Sequence, residues 1–234
     1  TVVSGSGGAG KSAVSAVAAA TLASMGVKTL LLDCDFQFGD MRELLGAKRA
    51  YGVDDVLSGA VSLSDLPRDE QGLCLIAAPR RLEQSEAITH ELPELLDSAM
   101  AHFDAIVANT GANWGEQHAV LLERSSRALF LVDQRVSSLR ACKHAVELCA
   151  RCGIAASPFL FVANRCSKRS LFSSIDVSCA MQGAHAAELK DGGAEVEQAL
   201  GTGLAYDLVS SRNPFAQSVR ELMGEVLGEP TGPL

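Results

Sequence analysis

The chain is 234 residues long, 47% hydrophobic and 21% charged, a composition that supports one large globular core and excludes a disordered or fibrous chain. Its formal net charge of −8 argues against a surface that grips nucleic acid or anionic lipid through bulk charge, so strong nucleic-acid binding is not expected. No apolar run reaches the ~18 residues needed to cross a bilayer and no signal peptide is read; seven cysteines, an odd number lying mostly in apolar segments, suit reduced thiols and a cytoplasmic setting.

Along the chain, short β-type runs alternate with helical patterns, which predicts an α/β fold: a three-layer sandwich with a mostly parallel twisted sheet and helices on both faces, formed as a single domain over residues 1–234. Thr1–Ser4 is the first predicted strand. It leads into Gly5-Ser6-Gly7-Gly8-Ala9-Gly10-Lys11-Ser12 and then a helix over Lys11–Met25, stopped by Gly26. That spacing is a phosphate-binding loop between its strand and its helix. Glycines let the backbone N–H groups of Gly7, Gly8, Ala9, Gly10, Lys11, Ser12 and Ala13 turn toward phosphate oxygens, Lys11 reaches the β/γ-phosphates, and the Ser12 hydroxyl ligates Mg²⁺. The helix adds the positive end of its dipole.

The next strand, Thr29–Asp33, runs into Asp33-Cys34-Asp35-Phe36-Gln37-Phe38-Gly39-Asp40. This places two carboxylates past the carboxyl end of a strand, the edge where open α/β sheets bind ligands, and period-two alternation points both the same way. One of them holds Mg²⁺ through water and the other orients the attacking water; we assign Asp33 to the metal and Asp35, with Lys11, to catalysis. Further strands are predicted at Leu73–Ala77, Ala105–Ala108, Ala128–Val132 and Phe159–Ala163, with a weaker one at Leu204–Tyr206, and further helices at Glu86–His102, Gln117–Ser125, Ser138–Cys152 and Pro214–Leu227. Their near-continuous apolar character suits strands covered on both faces. In the helix closed by Gly153, Leu139, Cys142, Val146 and Cys149 recur at helical spacing, so Cys149-Ala150-Arg151-Cys152 reads as core packing and not as half of a metal site. Residues 169–202 have no strong period and read as a mobile helix–loop segment, and Glu229–Pro233 reads as a non-helical end.

The phosphate loop, the 33–40 run, Tyr51-Gly52-Val53-Asp54-Asp55-Val56-Leu57, Gly72–Pro79, Phe103–Val107, Ser137–Arg140 and Phe161–Arg165 together make the chain resemble the ParA/MinD class of phosphate-loop ATPases, and within it the CpaE/TadZ branch, which acts in assembly and polar placement of Flp/tight-adherence pili. The resemblance covers nearly the whole chain apart from residues 169–202. It implies ATP/ADP and Mg²⁺ as cofactors, a homodimer formed on ATP binding and released by hydrolysis, and pilus-assembly or polar proteins as partners. It also implies that Asn164 reads the adenine ring and that the loop from Tyr206 to Asn213 flanks it. The start at Thr1, on the first strand, reads as a domain excised from a longer chain, and members of this branch often carry a receiver-like domain ahead of the ATPase domain.

Two residues depart from the family pattern. The signature lysine that reaches across the dimer falls on Ser6; trans cations of that kind are worth ~10³–10⁵ in rate. The Walker B aspartate falls on Asn109, which is neutral, and loss of an outer-sphere metal partner typically costs ~10–100-fold in metal affinity or activity. Arg140 and Arg165 are candidate substitute cations. The last helix, with Arg220, Glu221 and Glu225 on its polar side, lacks the basic face of a membrane anchor. The expectation is an ATP-binding switch with weak or lost hydrolysis; the alternative is an active ATPase in partitioning or cell-division positioning.

Overall fold

The computed structural model describes residues 1–228; the non-helical end read at Glu229–Pro233 lies outside them. The strands are β1 (Val2–Ser4), β2 (Thr29–Cys34), β3 (Tyr51–Gly52), β4 (Cys74–Ala77), β5 (Ala105–Thr110), β6 (Ala128–Val132), β7 (Phe159–Cys166) and β8 (Ala186–Lys190). The helices are α1 (Lys11–Ser24), α2 (Met41–Leu44), α3 (Val53–Leu57), α4 (Ser85–Met100), α5 (Glu116–Glu123), α6 (Val136–Arg151), α7 (Ser174–Ala180), α8 (Ala194–Gly201), α9 (Ala205–Ser210) and α10 (Pro214–Gly228). The strands form one eight-stranded sheet in the order β3-β4-β2-β5-β1-β6-β7-β8, and every ladder between them is parallel.

Continuous apolar strands resolve into two faces because successive side chains still alternate. Leu31, Leu129, Leu131, Leu160 and Val162 pack on one face with α1, α9 and α10, whereas Leu30, Leu32, Phe130, Val132 and Phe161 pack on the other. There they meet α4 and α5 on one side of β1, and α6 and α7 on the other. The alanines of α1 leave it buried nearly all round, from Val14 to Ala23. Small side chains allow it to lie close under β5 while α9 and α10 cover it from outside. This is the predicted three-layer α/β sandwich. Among the described residues, no helix is long and apolar enough to cross a membrane.

Two corrections to the predicted elements bear on the site. Leu204–Tyr206 is not a strand: Ala205 opens α9, which packs on α1. Residues 169–202 are not a loose helix–loop segment, because they supply α7, the edge strand β8 and α8. Ala186-Ala187-Glu188-Leu189-Lys190 carries little β propensity. It is a strand because β7 offers it a ladder, and its charges suit an edge. Cys149 packs in the core and Cys152 is exposed.

Candidate nucleotide site

The phosphate loop leaves β1 at the carboxyl edge of the sheet. There β1 and β6 are neighbours whose onward connections run opposite ways, to β2 on one side and to β7 on the other, the switch point at which open parallel sheets bind ligands. Gly8 and Gly10 adopt φ of 75° and 94°, conformations that strain any L side chain. The first half of the loop is braced on α6. Gly5 lies so close to the Ala141 and Cys142 backbone that any side chain there would collide with it, Ser6 Oγ donates to Ser138 Oγ at 3.3 Å, and Arg135 Nη2 donates to the Gly7 carbonyl at 2.8 Å. The second half is held by Asn164, whose Nδ2 donates to the Ala9 carbonyl at 2.8 Å while its Oδ1 accepts from Arg165 N at 2.9 Å.

A cleft of about 780 Å³ opens beside this loop, lined by Gly7, Gly8, Gly10, Lys11, Ser12 and Ala13. Ala9 is buried beneath it and offers only its backbone. Lys11 Nζ donates to Ser4 Oγ at 3.3 Å; burial lowers its pKa, and the nearby Asp35 carboxylate opposes that shift. Asp35 and Thr110 also line the cleft, as does Asp40, which faces Ser12 and is held above the ordinary carboxylate range mainly by burial. The hydroxyl of Ser12 and the carboxylates of Asp35 and Asp40 are hard oxygen donors of the kind that Mg²⁺ shares with phosphates, so the donor set fits the ion.

Asp33 does not share this wall. It is 1% exposed; its Oδ1 accepts from Asp35 N at 3.2 Å and from Asn109 Nδ2 at 3.0 Å, and its Oδ2 accepts from Met41 N at 3.2 Å. Gly39 packs against that carboxylate, where a side chain would collide. The expectation that Asp33 and Asp35 point the same way fails because the chain leaves the extended conformation after Cys34, ending the period-two alternation. The acidic residue that faces Ser12 is Asp40, and Asp33 organises the turn that presents Asp35 and Asp40. Burial pushes the Asp33 carboxyl up to about 6 against the pull of those hydrogen bonds.

Asn109 lies equally deep: besides donating to Asp33, it accepts from Ser15 Oγ at 3.2 Å. Tyr206 is the clearest miss. It does not line the cleft, and its hydroxyl donates to Asp69 Oδ2 at 2.5 Å. Asp69 belongs to the turn that enters β4, at the opposite edge of a parallel sheet from the loop. The far wall of the cleft is instead the turn after β8, with Asp191, Gly192 and Gly193, and the first turn of α8, with Val196. Asn213 ties this turn down by donating to the Gly192 carbonyl at 3.0 Å and to Glu195 Oε2 at 2.6 Å. Of the candidate substitute cations, Arg165 lines the cleft and Arg140 does not. Arg135, just past β6 at the ligand edge of the sheet, does not line the cleft either but bonds to the Gly7 carbonyl at its rim.

A phosphate loop at the switch point of a parallel sheet, with a lysine and two carboxylates on one cleft, defines a nucleotide-binding fold of the phosphate-loop class. Residues 1–191 match the family model described as the CobQ/CobB/MinD/ParA nucleotide binding domain, and the chain belongs to that family. It is 22% identical over 230 residues to an uncharacterized ATP-binding protein of Methanocaldococcus jannaschii, covering 97% of this chain and 86% of that one. It is also 31% identical over 147 residues to the septum site-determining protein MinD of Helicobacter pylori, covering 60% of this chain and 54% of MinD; the match spans about half the length of that relative. Among solved structures it resembles MinD complexed with Mg-ADP from Pyrococcus horikoshii, with a TM-score of 0.80, 22% identity and 100% and 98% of the two chains covered. A ParA family ATPase from Chlorobium tepidum gives a TM-score of 0.83 at 20% identity, covering 95% and 98%.

Proposed function

We propose that this chain is an ATP-binding switch protein whose hydrolysis is weak or lost, acting as a nucleotide-dependent homodimer in Flp/tight-adherence pilus assembly or polar placement, as in the CpaE/TadZ branch. ATP would sit with its phosphates on the backbone of residues 7–13 and its base toward Asn164 and the turn after β8. Asn164 would have to offer the base its second N–H, since the first is spent on Ala9. Ser12, Asp35 and Asp40 would hold Mg²⁺, which neutralises phosphate charge when bound. Lys11 would steady the β/γ-phosphates, and Asp35 would be the carboxylate that orients a water.

The observation that carries weak hydrolysis is the internal commitment of the two departing residues. Ser6 is turned onto Ser138, and Asn109 spends both ends of its amide on Asp33 and Ser15. Neither brings charge to the cleft. The second reading, an active ATPase in partitioning or division positioning, is favoured by the likeness to MinD and by Lys11, Ser12 and Asp35 standing on one wall.

ATP affinity and single-turnover hydrolysis with Mg²⁺, measured in wild type, Lys11→Ala and Ser6→Lys, separate the two. The switch reading expects tight ATP binding that Lys11→Ala abolishes, and slower turnover in wild type than in Ser6→Lys. Wild-type turnover as fast as Ser6→Lys rejects it in favour of the active ATPase. Sedimentation with and without ATP tests the dimer: a monomer at saturating ATP removes that part of the proposal.

A further inference from the structure

With Ser6 uncharged and turned onto α6, the first half of the phosphate loop has no cation of its own. Lys11 lies below it against Ser4, and Arg165 stands at the other end, beside Asn164. Arg135 fills that gap. Its Nη2 reaches the Gly7 carbonyl, and a side-chain carbon placed on Gly8 would lie 3.7 Å from the same nitrogen, so the guanidinium overlies the Gly7–Gly8 stretch. The side chain is anchored at its base: Nε donates to both oxygens of Asp133, at 3.0 and 2.8 Å, and Arg135 N donates to Asp133 Oδ1 at 3.1 Å. Asp133 is 3% exposed, while the Arg135 side chain remains 52% exposed. These bonds occupy Nε and Nη2 and leave the two N–H groups of Nη1 for a ligand. A buried carboxylate thus holds a half-exposed guanidinium against Gly7 and Gly8, two residues of the cleft wall, just outside the cleft itself, and guanidinium is the side-chain group best matched to phosphate.

We propose that Arg135 is a second phosphate-contacting cation of this site beside Lys11: it binds the terminal phosphate of ATP seated on its own loop, a same-chain contact distinct from the cross-dimer charge that Ser6 lacks, with Asp133 as its positioning residue. The proposal rests on the nucleotide reading above. A mere brace on Gly7 would stabilise the loop for every nucleotide alike, whereas a contact to the terminal phosphate discriminates ATP from ADP.

The test measures ATP and ADP affinity with Mg²⁺, at a protein concentration where sedimentation shows monomer, for wild type, Arg135→Gln, Arg135→Lys, Asp133→Asn and Lys11→Ala, with a thermal melt confirming that each folds. Arg135→Gln should weaken ATP about tenfold and leave ADP within about twofold. Arg135→Lys should recover part of that loss, and Asp133→Asn should reproduce it in smaller degree. Equal weakening of ATP and ADP, or no weakening of either, overturns the assignment and leaves Arg135 a loop brace. A selective loss seen only in the dimer overturns the same-chain contact. If Lys11→Ala leaves ATP affinity intact, the nucleotide reading itself falls, and this proposal with it; loss in Lys11→Ala beside an unaffected Arg135→Gln rejects Arg135 alone.

Discussion

Asn109 Nδ2 donates to Asp33 Oδ1 at 3.0 Å in a pocket where both residues are almost fully buried. A neutral amide is the partner a buried carboxylate needs there: it supplies a donor and adds no second negative charge. The same contact explains why Asn109 cannot simply be read as a damaged metal ligand.

Asn109→Asp would set two carboxylates about 3 Å apart in the core, and such a pair cannot both ionise. The folded pair then titrates above the unfolded carboxylates, so its stability is intact at low pH and is lost as pH rises through the folded value. We expect urea unfolding of Asn109→Asp to show a loss of about 1–3 kcal/mol at pH 8 and a smaller one at pH 5. Wild-type stability at pH 8 would reject the pairing argument.

His118 is 1% exposed and stacks on Trp114 with ring centroids 4.7 Å apart. The Gly111 backbone approaches it, but neither ring nitrogen makes a hydrogen bond of normal geometry to any described residue. Burial, with Lys11 nearby, lowers its pKa to about 4. A depressed histidine costs nothing above its unfolded value near 6.5 and destabilises as pH falls toward 4. His118→Phe keeps the ring and removes the titration. Relative to that variant, wild type should lose on the order of 3 kcal/mol between pH 6.5 and 4, read by denaturant unfolding at each pH; parallel curves would show that the ring is already protonated or well solvated.

Gly5 touches the backbone of Ala141 and Cys142, which no rotamer change can move aside. Gly5→Ala should therefore lower unfolding stability by about 1–3 kcal/mol and weaken ATP binding together with it, because β1, the loop and α6 separate at that point. Unchanged stability would mean that α6 sits farther from the loop.

The cleft wall formed by the turn after β8 separates Asn213, which holds it, from Tyr206, which does not touch the cleft. Asn213→Ala removes the bonds to Gly192 and Glu195, and we expect ATP affinity to drop about tenfold. Tyr206→Phe, which loses only the Asp69 contact, should leave affinity within about twofold. Titration of both variants with a fluorescent ATP analogue checks the contrast, and the reverse order would return Tyr206 to the site.

By itself the sequence determined the sheet's central strands, the helices that cross between them and the phosphate loop. Each of these is local: a dense run of apolar residues, a stop glycine, or a glycine spacing that only one backbone path satisfies. The sequence could not determine β8, because Ala186–Lys190 is a strand only through its ladder with β7, nor the place of Tyr206, which depends on how α9 packs against α1. Tertiary structure also decided which acidic residue serves which purpose. Asp33, Asp35 and Asp40 are neighbours in one short run, but the turn after Cys34 buries the first behind Asn109 and brings the other two to the cleft. Arg135 reaches the loop only because β6 lies beside β1 in the sheet. That adjacency joins residues far apart in the chain, and no spacing along the chain encodes it.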